Sequence, residues 1–142
     1  MLIPEKVNSY LNKHSSNHWK LEWNKKGGIQ NVVVIPAISE YENIQNLLLS
    51  LSENDKCQLS KTLILFVINN LKSLKEEVKE NNRKTIEFLR AIIYMNVSDH
   101  LTQRLTESGL ITGLVDASTE GNEFDDNTGG VGMARKVGMD LA

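Results

Sequence analysis

The chain has 142 residues, 40% of them hydrophobic, and a formal net charge of −2 at pH 7. This length and composition allow a core large enough to fold alone, which excludes a disordered protein and favours one globular domain. Basic and acidic residues are interspersed, so we expect no nucleic-acid partner and a local site for any anion. The single cysteine, the lack of a signal peptide and the lack of a long apolar run predict a cytoplasmic protein without a membrane span.

The N-terminal part is predicted to contain one helix and a polar lead-in. Apolar residues between positions 2 and 13 recur at helical spacing, which predicts a docking helix. The stretch 14–30 is mostly polar and ends in a glycine turn at 27–28. We therefore divide the chain into a lead-in, 1–30, and an α/β domain, 31–142.

The domain opens with an uninterrupted apolar strand at 31–36. Because neither face is polar, we expect this strand in the interior of a parallel sheet. Pro36 lacks an amide donor and is expected to stop the strand, and Ala37 keeps the following turn open to a ligand. The alternative is an ordinary strand-to-helix turn. Ser39, followed three residues later by Glu42, predicts a capping box for the next helix.

Two more strands are predicted, at 62–69 and 110–115. The pair Asn69 and Asn70 ends the first of them. Each carboxamide offers a donor and an acceptor to a base or a ribose, although asparagine pairs also simply form turns. Strands that alternate with helices predict a three-layer, Rossmann-like parallel sheet with helices on both faces.

Two helical segments separate these strands. The first covers 75–90, where Ser73, followed three residues later by a glutamate, predicts a capping box. The pair Asn81-Asn82 is expected to interrupt this segment. The second begins at 98 or 99, and Gly109 closes it.

An acidic loop, 116–127, leads into a glycine turn at 129–132 and a last helix. The carboxylates could hold a divalent metal, but their spacing does not match a calcium loop, and a solvated loop is the simpler interpretation. Asp116, at a strand end, remains a site candidate. The glycine turn matches neither the dinucleotide fingerprint nor the phosphate loop. Arg135 follows it, and its planar guanidinium suits a phosphate or a base edge.

Three sequence segments occur in an order and at a spacing that resemble those of a known family. They are Val-Val-Ile-Pro-Ala-x-x-Glu at 33–40, Val-Ile-Asn-Asn at 67–70, and Gly-x-Gly-x-Ala-Arg-Lys-x-Gly at 130–138. Together they resemble the N-terminal, nucleotide-binding half of a family 2 glycosyltransferase with the GT-A fold. Ser39 stands where that family usually has asparagine, and the asparagine pair stands where many members have an acidic pair.

The resemblance implies that the chain binds the nucleotide of a sugar-nucleotide donor. Carried over by position, and with Asp116 added from its place at a strand end, the candidate residues are Pro36, Ala37, Glu40, Asn69, Asn70, Asp116, Gly130 and Arg135. The resemblance also implies Mg²⁺ or Mn²⁺ in the complete enzyme. No Asp-x-Asp metal motif occurs in this sequence. We therefore assign no catalytic or metal-binding residue and expect the chain alone to be inactive in sugar transfer.

Some alternatives stay open at this point. The chain could be a non-catalytic α/β module that binds a nucleotide or a partner through the same strand ends. The sequence does not identify the sugar, the nucleotide or the acceptor. A short sheet with an unpaired edge would also favour self-association.

Overall fold

The structure, a computed structural model, describes residues 3–14, 16, 18–24 and 27–142, so Leu2 of the predicted first helix lies outside it. Within these residues the chain has an α/β architecture. The strands are β1 (Leu21–Trp23), β2 (Asn31–Ala37), β3 (Thr62–Asn69) and β4 (Ile111–Ala117). The helices are α1 (Glu5–His14), α2 (Tyr41–Ser52), α3 (Lys56–Leu59), α4 (Glu76–Ile93), α5 (His100–Glu107) and α6 (Val131–Leu141).

The four strands form one mixed sheet in the order β1-β4-β3-β2. The pairs β2–β3 and β3–β4 are parallel, as predicted. The sheet is not wholly parallel, however, because β1 pairs antiparallel with β4 and places Leu21 opposite Val115. This short strand lies in the stretch that the sequence analysis treated as a polar lead-in. Its two apolar side chains, Leu21 and Trp23, pack against the hydrophobic core.

The prediction that the first long strand lies inside the sheet is wrong. The strand β2 is at the edge, and Val32 and Val33 are 39% and 45% exposed. An apolar run favours a strand with covered faces, but it does not indicate whether both edges of the strand are paired. Pro36 is inside the strand rather than at its end. The Asn31 amide points toward β3 and donates to the Lys61 carbonyl. Because backbone N–H groups point to alternate sides along a strand, the nitrogen of Pro36 points away from β3, where the strand needs no donor.

Hydrophobic clusters cover both faces of the sheet. On one face, side chains of α2, α4 and α5 surround Phe66 of β3, with Leu48 and Leu89 fully buried. On the other face, α6 packs on β2 and β3 beside Leu65. Gly138 brings α6 close to the sheet, since a Cβ atom there would lie 2.8 Å from Cγ2 of Val67. These layers fix the carboxyl ends of the parallel strands between α4 and α6.

Two predicted capping boxes are wrong, and so is the predicted break in the second long helix. Ser39 has a φ of 55° and precedes the α2 N-cap, Glu40, which forms no side-chain cap. The Ser73 amide donates to Oδ1 of Asp126, and α4 begins later, without a side-chain cap. The helix α4 runs without a break through Asn81-Asn82. At α2, the distant side chain of Asn81 accepts from the Tyr41 amide, which a local cap would otherwise satisfy.

The remaining helices follow the sequence more closely. The helix α5 starts where expected, with a capping box between Asp99 and Thr102. The helix α1 forms at the predicted place, has no buried residue, and contacts α6 through the Lys136 ammonium, which donates to the His14 carbonyl at 2.6 Å. Among the described residues, no helix has both the length and the apolar character to cross a membrane.

Candidate functional site

The carboxyl ends of the three parallel strands bring several predicted site residues to one edge of the sheet. The register pairs Ala37 of β2 with Ile68 of β3, and Asn69 of β3 with Ala117 of β4. Asp116 is therefore one position from the end of β4 and opposite the last residues of β3. In open α/β sheets, ligands bind beyond these strand ends. Ala37, Asn69, Asn70 and Asp116 thus share one edge of the sheet.

The two asparagines at the end of β3 differ in which of their polar atoms remain available to a ligand. The Nδ2 atom of Asn69 donates to the carbonyls of Ala37 at 3.1 Å and Val67 at 3.2 Å, which ties β3 to β2. Asn70 is fully buried, and its Oδ1 accepts from Asn82 and from the Ser118 hydroxyl. Within the described part of the chain, nothing donates to Oδ1 of Asn69. That atom is the acceptor of the pair that a ligand could use.

Sequence reasoning missed Asn82, which is 1% exposed and lies inside α4. Its Oδ1 accepts from the Ser39 amide at 2.8 Å, and the neighbouring Asn81 accepts from the Tyr41 amide at 3.1 Å. These two side chains of α4 therefore satisfy amides at the start of α2. Asparagine is unfavourable inside a helix because its side chain competes for backbone hydrogen bonds. A pair of asparagines within a helical pattern was thus a signal of a role outside the helix.

Asp116 organises the loop after β4. Its carboxylate accepts from the Ser118 amide at 3.0 Å, the Thr119 amide at 2.9 Å and the Thr119 hydroxyl at 2.6 Å. The Arg90 guanidinium lies 3.5 Å from the same carboxylate, which is 8% exposed. A carboxylate has about four acceptor positions, so Asp116 is committed to the protein. These interactions leave the Asp116 carboxylate without a position for direct contact with a ligand, so the geometry does not support its predicted role as a ligand-binding residue.

Arg90 and Glu22 form a second feature that the sequence did not indicate. The Arg90 guanidinium donates to both oxygens of Glu22, the shortest contact being 2.9 Å, and joins α4 to β1. The hydrogen bond with Glu22 raises the pKa of Arg90 and outweighs its partial burial. The Tyr94 hydroxyl donates to Glu22 at 2.8 Å, and this bond raises the pKa of Tyr94. The cluster anchors β1 beside Asp116.

The N-terminus of α6 lies above the same strand ends. Gly129 packs against Leu71, just beyond β3, whereas Gly138 packs against Val34 within β2, so α6 runs from the carboxyl ends of the strands toward their amino ends. Arg135 lies one turn before Gly138, and Pro36 lies two residues after Val34 on the same face. Arg135 is therefore at the level of Pro36. Its side chain is exposed and forms no hydrogen bond or ion pair with the described residues.

The turn between β2 and α2 forms one wall of this region. Glu40 is the exposed N-cap residue of α2, and its carbonyl accepts from the Ile44 amide. A cavity of about 140 Å³ lies beside the turn and is lined by Glu40, Tyr41 and Asn81. A larger crevice of about 400 Å³ lies between α4 and the loop that begins at Ser118. Both openings lie beside α4.

Gly130 begins α6 and combines conformational freedom with open space. Its φ is 122°, a conformation that side chains rarely adopt, and a Cβ atom there would meet nothing within 4 Å. It provides no side-chain cap, so the first amides of α6 have no such partner. Within the described ranges, no group of three or more His, Cys, Asp or Glu side chains could hold a metal ion.

A scan against protein-family models and searches of curated proteins and of solved structures find no match to this chain.

Proposed function

We propose that the carboxyl edge of the sheet binds the nucleotide part of a sugar nucleotide, and that the chain is the Rossmann-like donor-binding region of a glycosyltransferase similar to family 2 enzymes. One observation carries this proposal: Arg135, which is exposed and has no hydrogen-bond or ion-pair partner in the described residues, belongs to the helix whose N-terminus lies above the strand ends. The sugar would be transferred to an acceptor that the described residues do not identify. The resemblance of three sequence segments supports the same assignment.

The side of the edge that α6 covers suits the phosphates. The first amides of α6 lack a side-chain cap, and a helix N-terminus favours an anion. Arg135 adds a planar, permanently charged fork that can bind two phosphate oxygens at once. Gly130 leaves space for a phosphate to approach the backbone, because it has no side chain. These three features favour a diphosphate over a neutral ligand.

The side of the edge that faces β2 and β3 suits the nucleoside. Oδ1 of Asn69 can accept from a base N–H or a ribose hydroxyl. Ala37 is 6% exposed and packs in the core, so it closes the end of β2 below this region. Asn70 and Asp116 stabilise the protein around this region, since their polar atoms already form hydrogen bonds with protein groups. In this proposal, they support the site without direct contact with the ligand.

The proposal concerns binding and orientation. The resemblance implies Mg²⁺ or Mn²⁺, but the described residues do not fit such an ion: the best-placed carboxylate, Asp116, accepts hydrogen bonds from Ser118 and Thr119 and lies beside Arg90. No step is therefore derived through a metal, and no catalytic residue is assigned. The chain's own residues would hold the nucleotide and exclude water from the sheet side of it.

Calorimetry with UDP and GDP tests the proposal. Arg135→Ala should weaken binding by about 1.5–3 kcal/mol if the guanidinium makes a charge-assisted hydrogen bond. The matched control is Arg104→Ala, another exposed arginine, whose ion pair with Glu53 joins α5 to the far end of α2. This control should bind like the wild type. Equal affinity in wild type and Arg135→Ala would remove Arg135 from the site.

The same assay separates the proposal from a module that binds a protein partner. Under the proposal, a sugar nucleotide and the matching nucleoside diphosphate compete for one site. A partner-binding module would bind neither, and a wild-type protein that binds no nucleotide would therefore contradict the proposed function.

A further inference from the structure

Both polar atoms of the Asn82 side chain form hydrogen bonds with residues outside α4. Its Oδ1 accepts from the Ser39 amide at 2.8 Å. Its Nδ2 donates to the Asn69 carbonyl at 3.0 Å and to Oδ1 of Asn70 at 3.1 Å. The side chain is 1% exposed, so a single lost bond would leave a polar atom buried without a partner.

These bonds contribute nothing to the helix in which Asn82 lies. Asparagine is a poor residue for the interior of a helix, and all three partners belong to other segments. One partner is in the turn between β2 and α2, and the other two are at the end of β3. The position of Asn82 in α4 is therefore explained by the elements that it connects.

The turn that Asn82 holds has an unfavourable backbone. Ser39 has a φ of 55°, in the left-handed region, where residues other than glycine pay a steric cost. A buried acceptor aimed at the Ser39 amide stabilises that conformation. Asn81 secures the next part of the turn through the Tyr41 amide. The path of the chain from β2 into α2 is thus set by α4.

The same network reaches the end of β4. The Ser118 hydroxyl, just after β4, donates to the Oδ1 atom of Asn70 that also accepts from Asn82. Asn82, Asn70 and Ser118 therefore link the ends of β2, β3 and β4 through buried side chains. Fully satisfied buried networks of this kind make local geometry rigid and specific.

We propose that Asn82 is a positioning residue of the nucleotide site: it fixes the turn at 38–40 against the end of β3. The ligand then meets a preformed wall instead of a mobile turn. This inference rests on the proposed function for its effect on affinity. Its structural part, the control of the Ser39 conformation by Asn82, can be measured without any ligand.

The affinity test compares Asn82→Ala with two further variants by calorimetry with UDP and GDP, at a temperature where all are folded. Asn82→Ala should bind at least about tenfold more weakly, equivalent to about 1.4 kcal/mol. Adding Ser39→Gly to that variant should restore most of the affinity, because glycine adopts a positive φ without the bond. Thr102→Ala is the control, since Thr102 is a buried hydrogen-bonding residue of α5 away from the strand ends. It should lose stability and keep its affinity.

Amide hydrogen exchange supplies the test that needs no nucleotide. In Asn82→Ala, the Ser39 amide should exchange at least about tenfold faster, whereas amides within β3 keep their protection. If Asn82→Ala does not fold, Asn82→Ser, a smaller polar side chain, replaces it and should show the same faster exchange at Ser39. Unchanged Ser39 exchange in the folded variant, or unchanged affinity in that variant, would overturn the inference. If the wild type binds no nucleotide, the proposed function fails, and the exchange result alone decides whether Asn82 holds the turn.

Discussion

Single side chains cap helices in this molecule either from nearby in sequence or from another element. Asp99 is a local cap: its Oδ1 accepts from the Thr102 amide at 2.8 Å, and Thr102 donates back to the same residue. Asn81 is a remote cap that reaches the Tyr41 amide across 40 positions of sequence. The two arrangements satisfy the same kind of orphan amide. Only the first can be recognised from spacing.

The Asp99 cap predicts a specific dependence of stability on pH. Its hydrogen bond with the Thr102 backbone lowers the pKa of Asp99 below the ordinary value of 3.8. A lowered carboxyl pKa contributes stability that is present above the ordinary value and is lost as the pH falls through the folded-state value. In urea unfolding at decreasing pH, the wild type should lose this contribution below about 3.8. Asp99→Asn, which caps without titrating, should not; identical pH profiles for the two proteins would contradict the prediction.

At the level of elements, the contact between α6 and the sheet depends on glycine. Gly132 and Gly138 both lie in this helix, but they differ in their surroundings. A Cβ atom at Gly132 would meet nothing within 4 Å, whereas one at Gly138 would overlap Val34 and Val67. The helix therefore approaches β2 and β3 at the turn that holds Gly138, which also sets the level of Arg135.

Alanine substitutions at these two glycines should have opposite effects on stability. Gly138→Ala should lower the free energy of unfolding by about 1–3 kcal/mol, the usual result of overpacking a core. Gly132→Ala should raise it by about 0.5–1 kcal/mol, because alanine is the better helix former. Chemical denaturation of both variants measures the difference. Equal stabilisation by the two changes would show that α6 is not tightly packed on the sheet at Gly138.

The sequence predicted the long strands and helices, but it did not predict the short strand, the edge position of β2 or the hydrogen bonds between elements. The strands β2 and β3 were predicted from their apolar runs, and β4 from a short segment that follows the glycine stop at Gly109. The strand β1 has three residues, too few for a periodic pattern. The edge position of β2 was missed because edge pairing leaves little trace in an apolar run. Hydrogen bonds such as Asn82 to Ser39 join residues 43 positions apart, so no local pattern contains them.

The same limit applies to the site. Asn69 and Asp116, near the carboxyl ends of β3 and β4, lie at one edge of the sheet because the two strands run in the same direction. Whether a polar group faces a ligand or the protein depends on partners elsewhere in the fold. Asp116 is taken up by its own loop and by Arg90, and Asn70 by Asn82 and Ser118.

Across the whole molecule, side chains of the interior strand β3 are more deeply buried than those of the edge strand β2. In the central strand β3, Leu65, Phe66 and Val67 are fully buried. In the edge strand β2, Val32 and Val33 are more than a third exposed. Within the described residues, no strand pairs with the outer side of β2. Most of the stabilisation from apolar burial in the sheet therefore comes from its centre.

This asymmetry predicts different costs for truncating side chains in the two strands. Leu65→Ala should lower the free energy of unfolding by about 2–5 kcal/mol, because it leaves a cavity in the core. Val33→Ala should cost less than about 1 kcal/mol, because a 45% exposed side chain loses little burial. Urea unfolding of both variants gives the comparison, with unchanged m-values as the check that the unfolded state is the same. A loss at Val33 as large as that at Leu65 would mean that the β2 edge is covered in solution, and sedimentation at several concentrations would then show whether a second copy covers it.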